Sequence, residues 1–595
     1  MEPKPVERAP TNRKLLYAVV AVIVVVVLIS SVAVVILTAR PASAPPVKPL
    51  AIELWYIDDG HYGDTEPTVA VLVKAQLEKS GLFQVTLKHS ATKTYFGQVS
   101  NNALPLFLLG WFPDFADSDN YVTPFMRTGF QSLGTNYSNP TMDALIDNET
   151  SSTTGRDTTF SQIQDLTAHD VPTLPLWMTS AVAVREPAVS GVVLDPYLFR
   201  YYFIGKNNVA TSALTMSTTD KLTSLDPAVE YDLFSGTVVG NIFDTLYTTT
   251  PTNGSEIPQT IPLLAAGPPV NPVGSDPKVW EVTLKPGLKF SDGTTNITAR
   301  DVQFSFQRMA KINNPESAVF YLTGLMDGNA LANTPDTVIS MPDGPTGLRV
   351  QFHLNKTYSI FPNLLTFSTT SILNHNIYPV GTAVNDPTTL PGGGVGGGSG
   401  PYIVQSTDLA TSIVFTANPY YNFKTFWEQY QSKGAPAIPV PVSNTFSISI
   451  KAAAPALRQD VQAHVVNLGY RSFNPPDVSA LQQDSTLKVD VGNSPQIRYL
   501  VFNSGKAPFN KIQVRQAIAY SVNRQEIVDI VFGALAQPLW SMIPPGWYGH
   551  KDVFKDVYGS TPDAAKAKAL LQQAGFLSFI APPVLAVSEA RRPGD

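Results

Sequence analysis

One stretch limits this chain more than any other: Leu15–Ala39, 25 residues rich in Val and Ile without a charged side chain. At about 1.5 Å of rise per residue, such a run covers a hydrocarbon core of about 30 Å. Within lipid the backbone must satisfy its own polar groups, so the run predicts a membrane-spanning helix. Lys4, Arg8, Arg13 and Lys14 precede it, while the nearest basic residues that follow are Arg40 and Lys48. The positive-inside rule then predicts a single-pass cell-membrane protein, with 1–14 in the cytoplasm and the body outside. The competing reading is a cleaved signal peptide, since Ala42-Ser43-Ala44 has the small-residue pattern of a cleavage site. Against it, the apolar run exceeds the usual core of about 7–15 residues, and Pro45 follows the site. Pro41, Pro45, Pro46 and Pro49 predict a stiff stalk over 40–49.

Beyond the stalk, strand and helix patterns alternate. Ile52, Leu54 and Tyr56 share one side of a strand, and Leu104–Trp111 is a continuous apolar run of the buried-strand kind. Trp280, Val282 and Leu284 alternate with polar neighbours, as do Leu348, Val350, Phe352 and Leu354. Thr298 caps a helix whose Val302, Phe306 and Met309 share a face; Asn523 and Glu526 have capping-box spacing. Thr561-Pro562 opens a last helix that Gly575 stops. The mixture predicts an α/β protein.

Several chemistries are excluded. There is no Cys, hence no disulfide framework, zinc knuckle or thiol nucleophile. A net charge of −6 and 15 % charged residues give no basic surface for nucleic acid. No Walker loop, H-E-x-x-H or G-x-S-x-G occurs, and the seven histidines are scattered. Gly392, Gly394 and Gly397 form a G-x-G-x-x-G, but a strand pattern follows at Pro401–Val404, with no helix N-terminus to hold phosphate. That segment reads as a flexible loop. Asp58, Asp59, His61, Asp64 and Glu66 lack regular ligand spacing and read as a solvated loop, and His353 as an exposed bystander. The expectation is a binding protein without catalytic residue, metal or cofactor.

Ser224-Leu225-Asp226-Pro227-Ala228 and Asn241–Leu246 resemble the "LDPA … YDTL" opening of the extracytoplasmic solute-binding proteins of peptide-type ABC importers (family 5, dipeptide/oligopeptide-binding). Trp280–Asp301 resembles that family's "W-x-F-x-L-R-x-G-V-K-F-x-D-G-x-x-x-T-A-x-D-V" signature, the most specific of these matches. Gly398–Tyr402 is similar to its "GTGPY", Asn418–Tyr421 to its "NPxY", and Leu500–Phe532 to its "FN … PF-x-D-x-x-V-R-x-A-I" segment. The order differs from the family's. The "LLxxAGF" helix, Ala564–Phe576, stands near the C-terminus, and the strand Ile52–Tyr56 that should follow it comes after the apolar run. The chain therefore reads as a circular permutant, a mis-assembled gene being the alternative.

The resemblance implies a two-lobed periplasmic-binding-protein-like fold of the large peptide-binding class (type II) with a hinge. Lobe I would span 172–496, and lobe II 50–171 plus 497–576, leaving 577–595 as a tail. It implies a monomeric receptor that captures a peptide and hands it to importer permease subunits served by separate ATPases. Gly110–Asn120 resembles the segment "GW-x-x-D-Y-x-D-P-x-N", with Ser118 where Pro is usual. In peptide-binding members its first Asp grips the ligand's α-ammonium, and Asp114 occupies that position. Trp111, Asp117 and Asn120 complete the implied ligand-binding set. The plain alternative gives Asp114, Asp117 and Asp119 turn hydrogen bonds in an exposed acidic loop, and Trp111 a place in the core. A surface sensor or receptor for another solute, such as an oligosaccharide or metal chelate, and a secreted hydrolase are the rival functions.

Overall fold

Eleven strands, many β-branched or aromatic in composition, hydrogen-bond into one mixed sheet. They are β1 (Leu50–Ile57), β2 (Phe83–Ser90), β3 (Leu106–Trp111), β4 (Thr173–Arg185), β5 (Thr211–Thr218), β6 (Tyr402–Asp408), β7 (Ser412–Ala417), β8 (Ser443–Ile450), β9 (Leu468–Tyr470), β10 (Lys488–Phe502) and β11 (Ala536–Pro538). Their order is β6-β7-β8-β5-β9-β4-β10-β3-β1-β2, with β11 on β4. This computed structural model describes residues 48–577, apart from 131, 132 and 255. The expected cytoplasmic stretch and apolar span lie outside the described residues, as do most of the stalk and tail. Among the described residues no helix is long and apolar enough to cross a membrane.

β4 and β10 are the long strands, and they pair in two stretches. Lys488–Asn493 face Ser180–Arg185, and Ile497–Val501 face Thr173–Met178, with the register broken between Asn493 and Ile497. β3 joins only the Ile497–Phe502 end of β10, whereas β9 joins β4 at Ala183–Arg185. A break of this kind loosens a ladder locally, so the sheet can bend there.

Two large apolar clusters fill the body. One gathers Tyr95, Phe107, Trp111, Phe125, Phe160, Tyr499 and Trp547; the other gathers Phe199, Tyr201, Phe290, Phe306, Phe361 and Phe446. The second packs around α2 (Leu233–Ile242), α3 (Ala299–Ile312) and α4 (Val319–Leu325). α3 begins as expected, with a reciprocal capping box between Thr298 and Asp301, and it buries Val302, Phe306 and Met309. The strands at 279–283 and 349–353 pair antiparallel, Trp280 opposite Phe352 and Val282 opposite Val350, all four buried.

The remaining named helices are α5 (Ile512–Ala519), α6 (Arg524–Ile527) and α7 (Ala564–Gln573), while α1 (Glu66–Lys79) links β1 to β2. Several local expectations are corrected. α7 starts at Asp563, whose carboxylate accepts from the N–H groups of Ala565 and Lys566, and not at Thr561-Pro562. The box at α6 is half formed. Asn523 Oδ1 accepts from Glu526 N, but Gln76 of α1 takes both the Asn523 N–H and the Glu526 carboxylate. In β1 the alternation stops after Leu54, because Ile57 is buried and Tyr56 only half-buried. The glycine loop is packed, not loose. Gly400 N donates to Ile242 O, and a Cβ at Gly400 would stand 2.5 Å from the Ile242 carbonyl carbon. His353 is half-buried, its Nε2 3.0 Å from Ser340 Oγ.

Candidate functional site

The segment after β3 is pinned at two points. Trp111 sets its ring edge-on to Phe125, 5.3 Å away, in the first cluster. Four residues on, Phe115 is fully buried in the second cluster, edge-on to Tyr321 at 5.6 Å. Asp114 is thereby suspended between the two apolar bodies. Asn120 holds it there. This fully buried amide accepts from Asp114 N at 2.9 Å and from Trp111 Nε1 at 3.1 Å. Its Nδ2 donates to the Tyr321 hydroxyl at 2.8 Å. Tyr321, on α4, donates in turn to Asp114 Oδ2 at 2.8 Å, and Tyr231, just before α2, does so at 3.2 Å.

The carboxylate's described partners are thus two phenols and an amide, with no Lys, Arg or His among them. Burial outweighs the three hydrogen bonds and pushes its pKa up to about 7. An unfolded aspartate titrates near 3.9, so the folded protein takes up a proton there between about pH 4 and pH 7. The group's contribution to stability is therefore complete below about pH 4 and is lost as pH rises towards 7. Asp114→Asn should remove that slope: in denaturant titrations the variant gains on the wild type between about pH 4 and pH 7. A constant difference would show that the carboxyl is not buried as described.

Asp117 has a different task. It caps the 3₁₀ turn Ser118–Tyr121 by accepting from Asp119 N, and it forms a two-pronged pair with Arg156 at 2.6 and 2.9 Å. Glu149 shares the same guanidinium, and Tyr358 donates to Asp119. The segment is not an exposed acidic loop: Asp117 is 9 % exposed, Asp119 1 % and Asn120 not at all. Trp111, Asp114 and Asn120 are brought together, and Asp117 is turned onto Arg156.

The 58–66 stretch also departs from a solvated loop. Glu66 is buried against Arg498 of β10, whose guanidinium lies 3.7 Å over the Tyr62 ring. His61 sits edge-on to Tyr62 and Phe96, and burial with the charges of Arg471 and Arg498 brings its pKa down to about 4. Asp58 pairs with His89, and Asp59 accepts from Thr92. Among the described residues no three His, Cys, Asp or Glu are grouped to hold a metal ion.

Sequence reasoning missed Tyr231 and Tyr321. Their only signal is position, since Tyr231 follows the Leu225–Ala228 block and Tyr321 lies nine residues beyond the end of α3.

Comparison with known proteins agrees with these segments. A profile of the bacterial extracellular solute-binding proteins, family 5 (middle region), matches residues 259–578. A dipeptide-binding protein of Pseudomonas aeruginosa is 28 % identical over 315 residues, 51 % of this chain and 54 % of that protein. The probable D,D-dipeptide-binding periplasmic protein DdpA of Escherichia coli is 29 % identical over 297 residues, 49 % and 50 % of the two chains. The heme-binding protein A of Haemophilus influenzae is 26 % identical over 311 residues, 50 % and 52 %. Among solved structures, the Escherichia coli murein tripeptide binding protein MppA covers 62 % of this chain and 67 % of its own, at 20 % identity and a TM-score of 0.45. The chain spans about half the length of the curated relatives it matches. Because the profile extends over more than half of the 595 residues and takes in the Trp280–Asp301 signature, the chain belongs to the bacterial extracellular solute-binding proteins, family 5.

Proposed function

We propose that this protein is an extracytoplasmic receptor that closes two lobes around a di- or oligopeptide and delivers it to importer permeases with separate ATPases. Leu15–Ala39 would tether it to the membrane. The carrying observation is Asp114, a carboxylate held between two apolar bodies with no cation among the described residues to answer it. An α-ammonium supplies that cation, and the water-poor surroundings strengthen the resulting charge-assisted hydrogen bond. Closure would bend the sheet where β4 and β10 lose register, and the ligand favours the closed form by touching both sides. The binding of dipeptides named for several relatives supports this reading; heme, named for another, offers no ammonium.

A thermal-shift screen tests it. Free-amine di- to hexapeptides should raise the melting temperature, since ligand at a hundred times its Kd adds about 2.7 kcal/mol. A response to oligosaccharides or metal chelates alone, with none to peptides, would overturn the peptide reading.

The permuted order is part of the same proposal. β1 lies parallel to β3, with Trp55 opposite Phe107, and α1 reaches α6 through Gln76. α7 packs on α5, and Asp563 N donates to Tyr520 O. These contacts support a common origin for the segments around residues 50 and 576. A variant joining Phe576 to Leu50 by a short linker and opened near Asn207 should fold and keep its ligand profile; failure to fold would contradict the permutation.

A further inference from the structure

Glu230 is a second acid close to Asp114, and where Asp114 is half-buried Glu230 is enclosed. It is 1 % exposed, and its Oε1 accepts from Ser368 Oγ at 2.8 Å. Oε2 accepts no hydrogen bond from the described residues and looks over Gly236, where a Cβ would stand 3.3 Å away. Tyr231, the next residue, is hydrogen-bonded to Asp114. The other acids nearby are answered. Asp226 holds Arg308 at 2.5 Å, and Asp232 accepts from Thr223 Oγ1 at 2.5 Å and Ser235 N at 2.8 Å. Glu230 has no cation and a single hydroxyl donor on one oxygen: burial and the charges of Asp232, Asp114 and Asp226 raise its pKa well above the usual range, and Ser368 opposes them. Aromatic rings line the place, Tyr231 with Phe320 at 5.5 Å and with Phe367 at 6.4 Å, and Phe320 with Tyr321 at 4.6 Å.

We infer that the ligand carries a second positive charge, as a peptide whose first side chain is basic, with its α-ammonium at Asp114 and its side-chain cation at Glu230. The inference rests on the peptide reading of Asp114. One ammonium can answer one carboxylate, and an ionised Glu230 left alone out of water is strongly disfavoured. A Lys or Arg side chain fits both demands of the place, its methylene stem lying along the rings and its charge meeting the acid and the ring faces. Without ligand, a proton neutralises Glu230 in the cation's place, so binding a basic first residue releases it.

Calorimetry on the full chain with lysyl-alanine and norleucyl-alanine, which differ by the side-chain charge, tests this. Lysyl-alanine should bind roughly tenfold to a hundredfold more tightly, as a hydrogen bond to a charged group is worth. In buffers of different ionisation enthalpy it should also release more protons than norleucyl-alanine. Glu230→Gln is near-isosteric and removes a buried acid; it should abolish both differences. Equal affinity and equal proton release in the wild type would overturn the second cation while leaving the peptide reading intact. Binding of neither dipeptide would overturn the peptide reading and this inference together.

Discussion

Arg308→Met should destabilise the folded protein by about 3–5 kcal/mol, the cost of stranding one charge of a buried pair. Arg308 and Asp226 are both fully buried, joined by two hydrogen bonds of 2.5 and 2.6 Å. The guanidinium also donates to Pro379 O and Thr382 O, each at 2.8 Å, and lies 5.3 Å over the Tyr378 ring. It thus ties α3 to the Leu225–Ala228 turn and to the 378–384 stretch. Methionine keeps much of the volume but leaves the Asp226 carboxylate with only the N–H groups of Val384 and Ala228. Adding Asp226→Asn to that variant should restore part of the loss, because the amide carries no stranded charge. Chemical denaturation of the three proteins measures this. Equal stability of wild type and Arg308→Met would mean the pair is hydrated and not the closed contact described.

What could be read from the sequence divides along a physical line. Local periodicity, caps and motif blocks carry information within about ten residues, and there the reading of β3, α3 and the 279–283 strand agrees with the structure. Asp114 was legible because its neighbours Gly110 and Trp111 carry a motif, and Asn120 because it closes the same segment. Tyr231 and Tyr321 were not, standing 117 and 207 positions from the aspartate they bind. Glu66 read as solvated because its counter-charge, Arg498, lies 432 residues away. The glycine loop read as mobile because glycine frees an isolated backbone. In the folded chain the missing side chain instead allows the Ile242 backbone to come close. At α6 the sequence pattern was present, but a longer-range partner, Gln76, took half the hydrogen bonds.

Asp114→Asn should weaken binding of free-amine peptides by about 2–5 kcal/mol, the range for truncating one partner of a hydrogen-bonded buried charge pair. The substitution keeps the shape of the side chain, and the Tyr231 and Tyr321 hydroxyls can still donate to its amide oxygen. What disappears is the negative charge, so fold and neighbouring contacts should persist while the ammonium loses its partner. Stability should not fall, because an acid whose ionised form the surroundings disfavour is removed. A peptide without an α-ammonium has nothing to lose from the change, and its affinity should be nearly the same for both proteins.

Those two statements combine in a cycle measured by calorimetry: lysyl-alanine and Nα-acetyl-lysyl-alanine, each against the wild type and Asp114→Asn. Acetylation removes the α-ammonium and keeps the side-chain cation, so the cycle isolates the contact on which the receptor reading depends. The account predicts that acetylation and the substitution each weaken binding strongly, and that together they cost little more than either alone. Equal wild-type affinity for the free and acetylated peptides, or losses that simply add, would contradict it.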